Sequence, residues 1–167
     1  NKKIKKLYYA SSSEVYHKPK FYPTKEKEHL VIPDPHNPRF SYSGSKIIGE
    51  LLLSNYLREA NIKYNIFRPH NIFGPCMGFE HVIPEIIKKI FVASNKFKKD
   101  KCKIKIQGTG YETRSFCFVD DSIDQLQVIQ KKGKNTEIYN VGQDKEISIK
   151  RLIRDISNIL KIKTTIE

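Results

Sequence analysis

"SYSGSKIIGELLLSNYLREANIKYNIFRPHNIFG", residues 41–74, carries the fold in outline. In its first half Ile47, Ile48, Leu51, Leu52, Tyr56 and Leu57 recur at helical spacing, which predicts a helix over residues 43–60. Its second half, "YNIFRPHNIFG", is apolar and rich in branched and aromatic residues, and reads as a strand entering a Pro/Gly turn. The same alternation extends outward on both sides. Upstream, residues 4–10 form a short apolar strand closed by serines, and residues 17–41 form a long loop rich in Pro, Lys and His. Downstream, residues 81–94 read as a helix with Pro84 in its first turn, where proline is tolerated. "CKIKIQGTG" and "RSFCFV" read as strands, and Asp120 or Asp121 is the expected cap of a helix running to about residue 131. "EIYNVG" is a further strand, Ser148 opens a last helix to about residue 160, and "KIKTTIE" begins another strand. Strands alternating with helices predict an α/β protein with a largely parallel sheet. In such sheets ligands gather at the carboxyl ends of the strands.

The 167 residues are 38% hydrophobic and 29% charged, a globular composition for one domain of ordinary size. No apolar run reaches membrane-spanning length, and "NKKIKKLYYA" lacks the apolar stretch of a secretory leader, so none is expected. Cys76, Cys102 and Cys117 are odd in number and lack metal-ligand spacing, so reduced thiols, no metal site and a cytoplasmic location are expected. The net charge of +13 comes mostly from lysines spread along the chain, without a nucleic-acid motif. It predicts a solvated basic surface that attracts anionic ligands, and not a nucleic-acid or membrane partner.

Polar clusters fall where strands end. Ser11, Ser12, Ser13 and Glu14 follow the first strand, His70 and Asn71 follow "NIFRP", and Asn140 and Gly142 close "EIYNVG". Tyr42 and Lys46 stand four residues apart, one helical turn, and so share a face. A free tyrosine has a pKa near 10. A neighbouring ammonium favours the phenolate, and a Ser, Tyr and Lys together suit proton transfer coupled to hydride transfer at a carbinol. On residues alone the blander readings stay open. A Y-x-x-x-K pair decorates many helices. The serines could cap a turn, His70 could be a core histidine, Asn71 a turn residue, and His81 a solvated side chain. Arg114 could pair with Asp120 or Asp121.

"YYASSSEVY", "YSGSK", "FRPHNIFGP", "HVIPEIIKKI", "IQGTGYETRSFCFVDD" and "IYNVG" follow one another in this order. Together they resemble the extended short-chain dehydrogenase/reductase family, specifically its NAD-dependent nucleotide-sugar epimerases and dehydratases. The resemblance implies the C-terminal portion of a Rossmann-type parallel sheet plus a small α/β substrate-binding region. Residues 1–75 would belong to the NAD-binding domain and carry the catalytic Ser/Tyr/Lys. Residues 76–167 would mainly bind the nucleotide sugar, with return elements to the sheet. It implies Tyr42 as acid/base, Lys46 as its activator and a ribose ligand, Ser12 as the partner hydroxyl and Glu14 as a proton-handling carboxylate. Ser11, Pro69 and His70 would lie along NAD. Asn71, His81, Val82, Lys105, Ile106 and Arg114 would contact the nucleotide sugar, Arg114 by gripping its diphosphate.

The implied activity is epimerisation of a nucleotide sugar. The alternatives are 4,6-dehydration or uronate decarboxylation, and a third is a split or relic chain that binds a nucleotide sugar or partner. A homodimer is implied for the full-length protein. Two departures stand out. His17 occupies the position where the family usually has glycine after "EVY", and no Gly-rich dinucleotide fingerprint is present. The adenosine half of the NAD site is therefore expected outside this chain, which alone is expected to hold NAD poorly and to be inactive.

Overall fold

The computed structural model describes residues 4–167. The chain divides into two compact units, one taking residues up to Ile72 together with Cys117–Asp144, the other taking Phe73–Phe116 and Lys145–Glu167. The elements in chain order are β1 (Lys6–Ala10), α1 (Ser41–Glu59), β2 (Lys63–Pro69), β3 (Ile72–Phe73) and α2 (Val82–Ala93). There follow β4 (Lys101–Ile104), β5 (Thr113–Ser115), β6 (Cys117–Phe118), α3 (Val119–Lys132), β7 (Glu137–Val141), β8 (Glu146–Ser148), α4 (Ile149–Leu160) and β9 (Lys163–Ile166).

In the first unit β2 lies between β1 and β7, and both pairings are parallel. The register sets Ala10 against Phe67 and Pro69 against Val141, so the carboxyl ends of the three strands lie side by side. Central position explains why β2 buries Tyr64, Asn65, Ile66 and Arg68, where an edge strand would alternate. Helix α1 is unusual. Of its nineteen residues only Ser43, Gly44, Ile47 and Glu50 are buried, while Ile48, Leu51, Leu52 and Tyr56 are exposed.

The second unit is built on isoleucine. Ile86 and Ile90 of α2, Ile104 of β4, Leu152, Ile153 and Ile156 of α4, and Ile162 form its buried cluster. Spacing of i, i+4 in both helices turns these residues to one face. Strand β4 pairs with β9 in parallel, and β5 pairs with β8 antiparallel, Arg114 facing Ile147.

Most of the expected elements are present, with corrections at their ends. Helix α1 begins at Ser41, two residues earlier than its apolar spacing indicated. The stretch "RSFCFV" divides into β5 and β6. Neither Asp120 nor Asp121 caps α3. Phe118 holds the cap position, and both aspartates sit in the first turn, where their charge still complements the helix dipole. Strand β8 escaped the sequence reading, because three residues beside a helix cap carry too short a pattern. Ser148 does cap α4, accepting a hydrogen bond from the Arg151 amide at 3.2 Å.

Candidate functional site

The first unit gathers its polar residues at the strand ends. Where β1 stops, the Ser11 amide bonds the Phe67 carbonyl at 2.9 Å, carrying the chain one step further beside β2. Ser11 and Ser12 are both buried. Ser12 caps a short 3₁₀ turn, Ser13–Tyr16, its Oγ accepting from the Glu14 amide at 3.2 Å. Glu14 itself points to solvent. His17 ends this turn at φ 54°, a conformation that suits glycine better than a side chain. Its ring meets Phe40 edge-on at 5.4 Å. That backbone geometry explains why glycine suits the position, and the ring contact helps hold the turn without one.

Helix α1 presents Tyr42 and Lys46 to the same place. Lys46 Nζ donates to the Ala10 carbonyl at 2.9 Å and lies 5.6 Å from the ring centres of both Tyr42 and Tyr9. The ammonium is thus tied to the end of β1, next to the two buried serines, with its charge beside the Tyr42 phenol. Tyr42 is 51% exposed, so its ring is open to a ligand. No hydrogen bond joins Tyr42 to Ser12 among the described residues. Burial, with smaller contributions from the Glu50 carboxylate and Tyr42, pushes the Tyr9 phenol above the usual tyrosine range. Tyr9 stays a neutral wall behind Lys46.

At the end of β2, Pro69 leads into His70, whose amide bonds the Val141 carbonyl at 2.8 Å. Burial holds the His70 imidazole below its ordinary pKa, against smaller raising contributions from Asn140 and Glu26, so it stays neutral at pH 7. Asn71 follows with φ 40°, in the left-handed region that asparagine tolerates, and its side chain is exposed.

In the second unit the expected residues divide. Lys105 joins Phe79, Lys88, Lys89, Val92 and Lys103 around a groove of about 470 Å³. The Lys88 ammonium lies 5.1 Å from the Phe79 ring centre, and Lys89 is paired with Glu85 at 2.6 Å. His81 is the cap residue of α2 and is exposed, 3.7 Å from the Glu80 carboxylate. Val82 and Ile106 pack against the isoleucine cluster. Arg114 is exposed on β5 and donates to the Thr113 carbonyl at 2.8 Å. Phe79, Lys88, Lys89 and Lys103 were not singled out from the sequence. The signal was there, since Glu85, Lys88, Lys89 and Val92 sit at i, i+3, i+4 and i+7 on one helix face. Among the described residues no group of three His, Cys, Asp or Glu side chains is placed to hold a metal.

The NAD dependent epimerase/dehydratase family matches residues 1–142. The chain is 32% identical over 164 residues to a dTDP-D-glucose 4,6-dehydratase of Dictyostelium discoideum, covering 95% of this chain and 36% of that protein. It is 32% identical over 165 residues to a GDP-L-fucose synthase of Sinorhizobium fredii, covering 96% of this chain and 51% of the relative. Among solved structures it resembles a UDP-N-acetylglucosamine 4-epimerase of Methanobrevibacter ruminantium, with TM-score 0.78, 27% identity, and coverage of 98% of this chain and 51% of the other. The chain thus spans between about a third and a half of the length of these relatives. The cofactor of this family is NAD, and the strand ends fit such a group. Ser11 Oγ and His70 Nε2 are buried polar atoms without a protein partner among the described residues, and a bound polar ligand there would satisfy both. By the match across most of its length, the chain belongs to the NAD-dependent epimerase/dehydratase family.

Proposed function

We propose that this chain is the catalytic and nucleotide-sugar-binding part of an NAD-dependent nucleotide-sugar epimerase. The observation that carries the reading is the Lys46 ammonium held between the Ala10 carbonyl and the Tyr42 ring. It places a fixed positive charge beside an exposed phenol. Tyr42 takes the proton from a sugar hydroxyl and returns it later, and Lys46 stabilises the phenolate between those events. Bound NAD supplies the hydride acceptor and donor. Lys46 also offers its ammonium to the ribose of the cofactor, while Ser11, Pro69 and His70 line its nicotinamide end. Ser12 sits at the same strand end and orients the sugar hydroxyl.

The second unit, taken by itself, supplies the nucleotide site. Phe79 offers an aromatic face for a base, and Lys88, Lys103 and Lys105 offer charge to phosphate oxygens. Arg114 adds a guanidinium fork for the diphosphate. His81, Val82 and Ile106 complete the contacts of this unit, and Asn71 of the first unit is a further contact to the nucleotide sugar. The +13 charge draws in such an anionic substrate. The protein works in the cytoplasm as a homodimer, with the exposed Ile48, Leu51, Leu52 and Tyr56 stripe of α1 supporting the contact between copies.

A second reading is elimination or decarboxylation after the same oxidation. It is favoured by Glu14, a solvent-facing carboxylate two residues past Ser12 that is free to move a carbon-bound proton. The dehydratase among the relatives supports it as well. The test is to incubate the full-length protein with NAD and a panel of UDP-, dTDP- and GDP-sugars and read products by mass and NMR. Unchanged mass with altered ring couplings supports epimerisation, and loss of water or carbon dioxide supports the second reading. No product from any member of the panel would contradict both.

A further inference from the structure

Arg68 is the largest fully buried side chain among the described residues, 2% exposed near the carboxyl end of β2. A buried guanidinium is tolerated only when its donors are paired. Here Nε bonds Glu50 Oε1 at 2.9 Å and Nη2 bonds Glu50 Oε2 at 2.6 Å, a two-pronged fork. Nη1 bonds the Tyr16 hydroxyl at 2.7 Å and the Glu26 carbonyl at 2.9 Å. The Tyr16 hydroxyl in turn donates a hydrogen bond to Asn140 Oδ1 at 2.7 Å. Asn140 is held in turn, its amide bonding the Glu26 carboxylate at 3.0 Å and its Nδ2 bonding the Thr24 carbonyl at 2.8 Å. One continuous network therefore ties α1, the central strand, the 3₁₀ turn, the following loop and β7. Burial by itself would lower the Arg68 pKa; the hydrogen bonds and charge of Glu50 and Tyr16 outweigh it, and the group stays charged.

Such a network is a poor source of stability, since a well-packed apolar pair often serves as well. Its use is geometric. Tyr42, Lys46 and Glu50 stand at i, i+4 and i+8, a single stripe drifting by about 40° per step, with Glu50 about 12 Å along the axis from Tyr42. Ile47 is the one buried large apolar residue of α1, so hydrophobic packing leaves the rotation of the helix weakly set. The Glu50 fork on Arg68 removes that freedom. Resting on the function above, we propose that Glu50, Arg68 and Tyr16 are positioning residues. They set the rotation of α1, and through it the aim of Lys46 and Tyr42 at the end of β1.

The test uses the full-length protein and two readouts. In the first, NADH affinity is measured by its own fluorescence for wild type, Lys46→Ala, the apolar pair Glu50→Leu/Arg68→Met, and their combination. Each change alone is expected to weaken NADH about tenfold, and the combination about tenfold rather than a hundredfold, because both remove one aimed ammonium. An additive hundredfold loss, or a folded apolar pair that binds NADH like wild type, would overturn the proposal. In the second, hydrogen exchange without NADH is read over residues 41–50. The apolar pair should exchange about tenfold faster there with β2 unchanged; unchanged exchange in that turn refutes the frame. If Lys46→Ala alone leaves NADH affinity intact, the cofactor reading fails, and exchange still judges the frame. Should the apolar pair not fold, Tyr16→Phe replaces it. It keeps the buried ring, removes only the hydroxyl link, and is expected to show the same two effects at about two- to fivefold.

Discussion

Replacing Glu50 by leucine alone leaves a guanidinium in the interior with half its partners gone. Arg68 keeps its bonds to the Tyr16 hydroxyl and the Glu26 carbonyl, but loses the two charge-assisted bonds at 2.9 and 2.6 Å and with them the carboxylate paired to it. Breaking one side of a buried ion pair costs about 3–5 kcal/mol. Because two bonds survive, the lower half of that range is expected here. At about 2–4 °C per kcal/mol for a domain of this size, Tm falls by about 6–16 °C. Adding Arg68→Met should recover most of the loss, since Tyr16 still donates to Asn140 and only the Glu26 carbonyl is left without its donor. The assay is urea and thermal unfolding of the full-length protein followed by circular dichroism, for both single variants and the pair. A Glu50→Leu loss below about 1 kcal/mol, the behaviour of an exposed ion pair, would refute the reasoning. So would a double variant less stable than the single one.

Three further outcomes follow from particular residues. The Glu112 carboxylate accepts from the amides of Thr109 and Gly110 and the Thr109 hydroxyl, and backbone hydrogen bonding holds its pKa at about 2. Since the folded value lies below the unfolded one, the clasp is complete above about pH 4.5 and is lost as pH falls towards 2. Protection of the Gly110 amide, taken relative to its intrinsic exchange rate at each pH, should fall over that window, and unchanged protection would contradict the clasp. His70, its pKa lowered by burial, binds its proton less readily folded than unfolded. Stability should therefore decline as pH drops below about 6.5 and be full above it; imidazole NMR should show a midpoint under 6.5, and one above it would be the wrong sign. Arg114→Ala should weaken UDP or dTDP about tenfold by calorimetry, while a free sugar changes little; equal losses for both would exclude a phosphate role.

The elements that build the candidate site were legible because they are local. Tyr42 and Lys46 one turn apart, the serines after β1, and the apolar spacing of α1 each lie within a few residues of chain. The parallel sheet followed from alternation, although its order, β1-β2-β7, places side by side strands that are far apart in sequence. What escaped depends on such distant partners. Nothing within "NIFRP" says that Arg68 is buried, because its burial is acceptable only through Glu50 on one side and Tyr16 on the other. Tyr16 meets Asn140 across 124 residues. The α3 cap was misassigned for a related reason: an aspartate favours the whole first turn electrostatically, so its presence fixes the helix start only to within a turn.

Whether Tyr42 moves the proton is decided by single-turnover kinetics of Tyr42→Phe. The full-length protein is loaded with NAD, mixed with the nucleotide sugar that the panel identifies, and followed by NADH absorbance. Phenylalanine keeps the ring and removes only the hydroxyl. The expected rate is lower by about 10²–10⁴, the usual worth of a general acid/base, with substrate affinity changed by less than about twofold. A Tyr42→Phe protein that reduces NAD at the wild-type rate would contradict it.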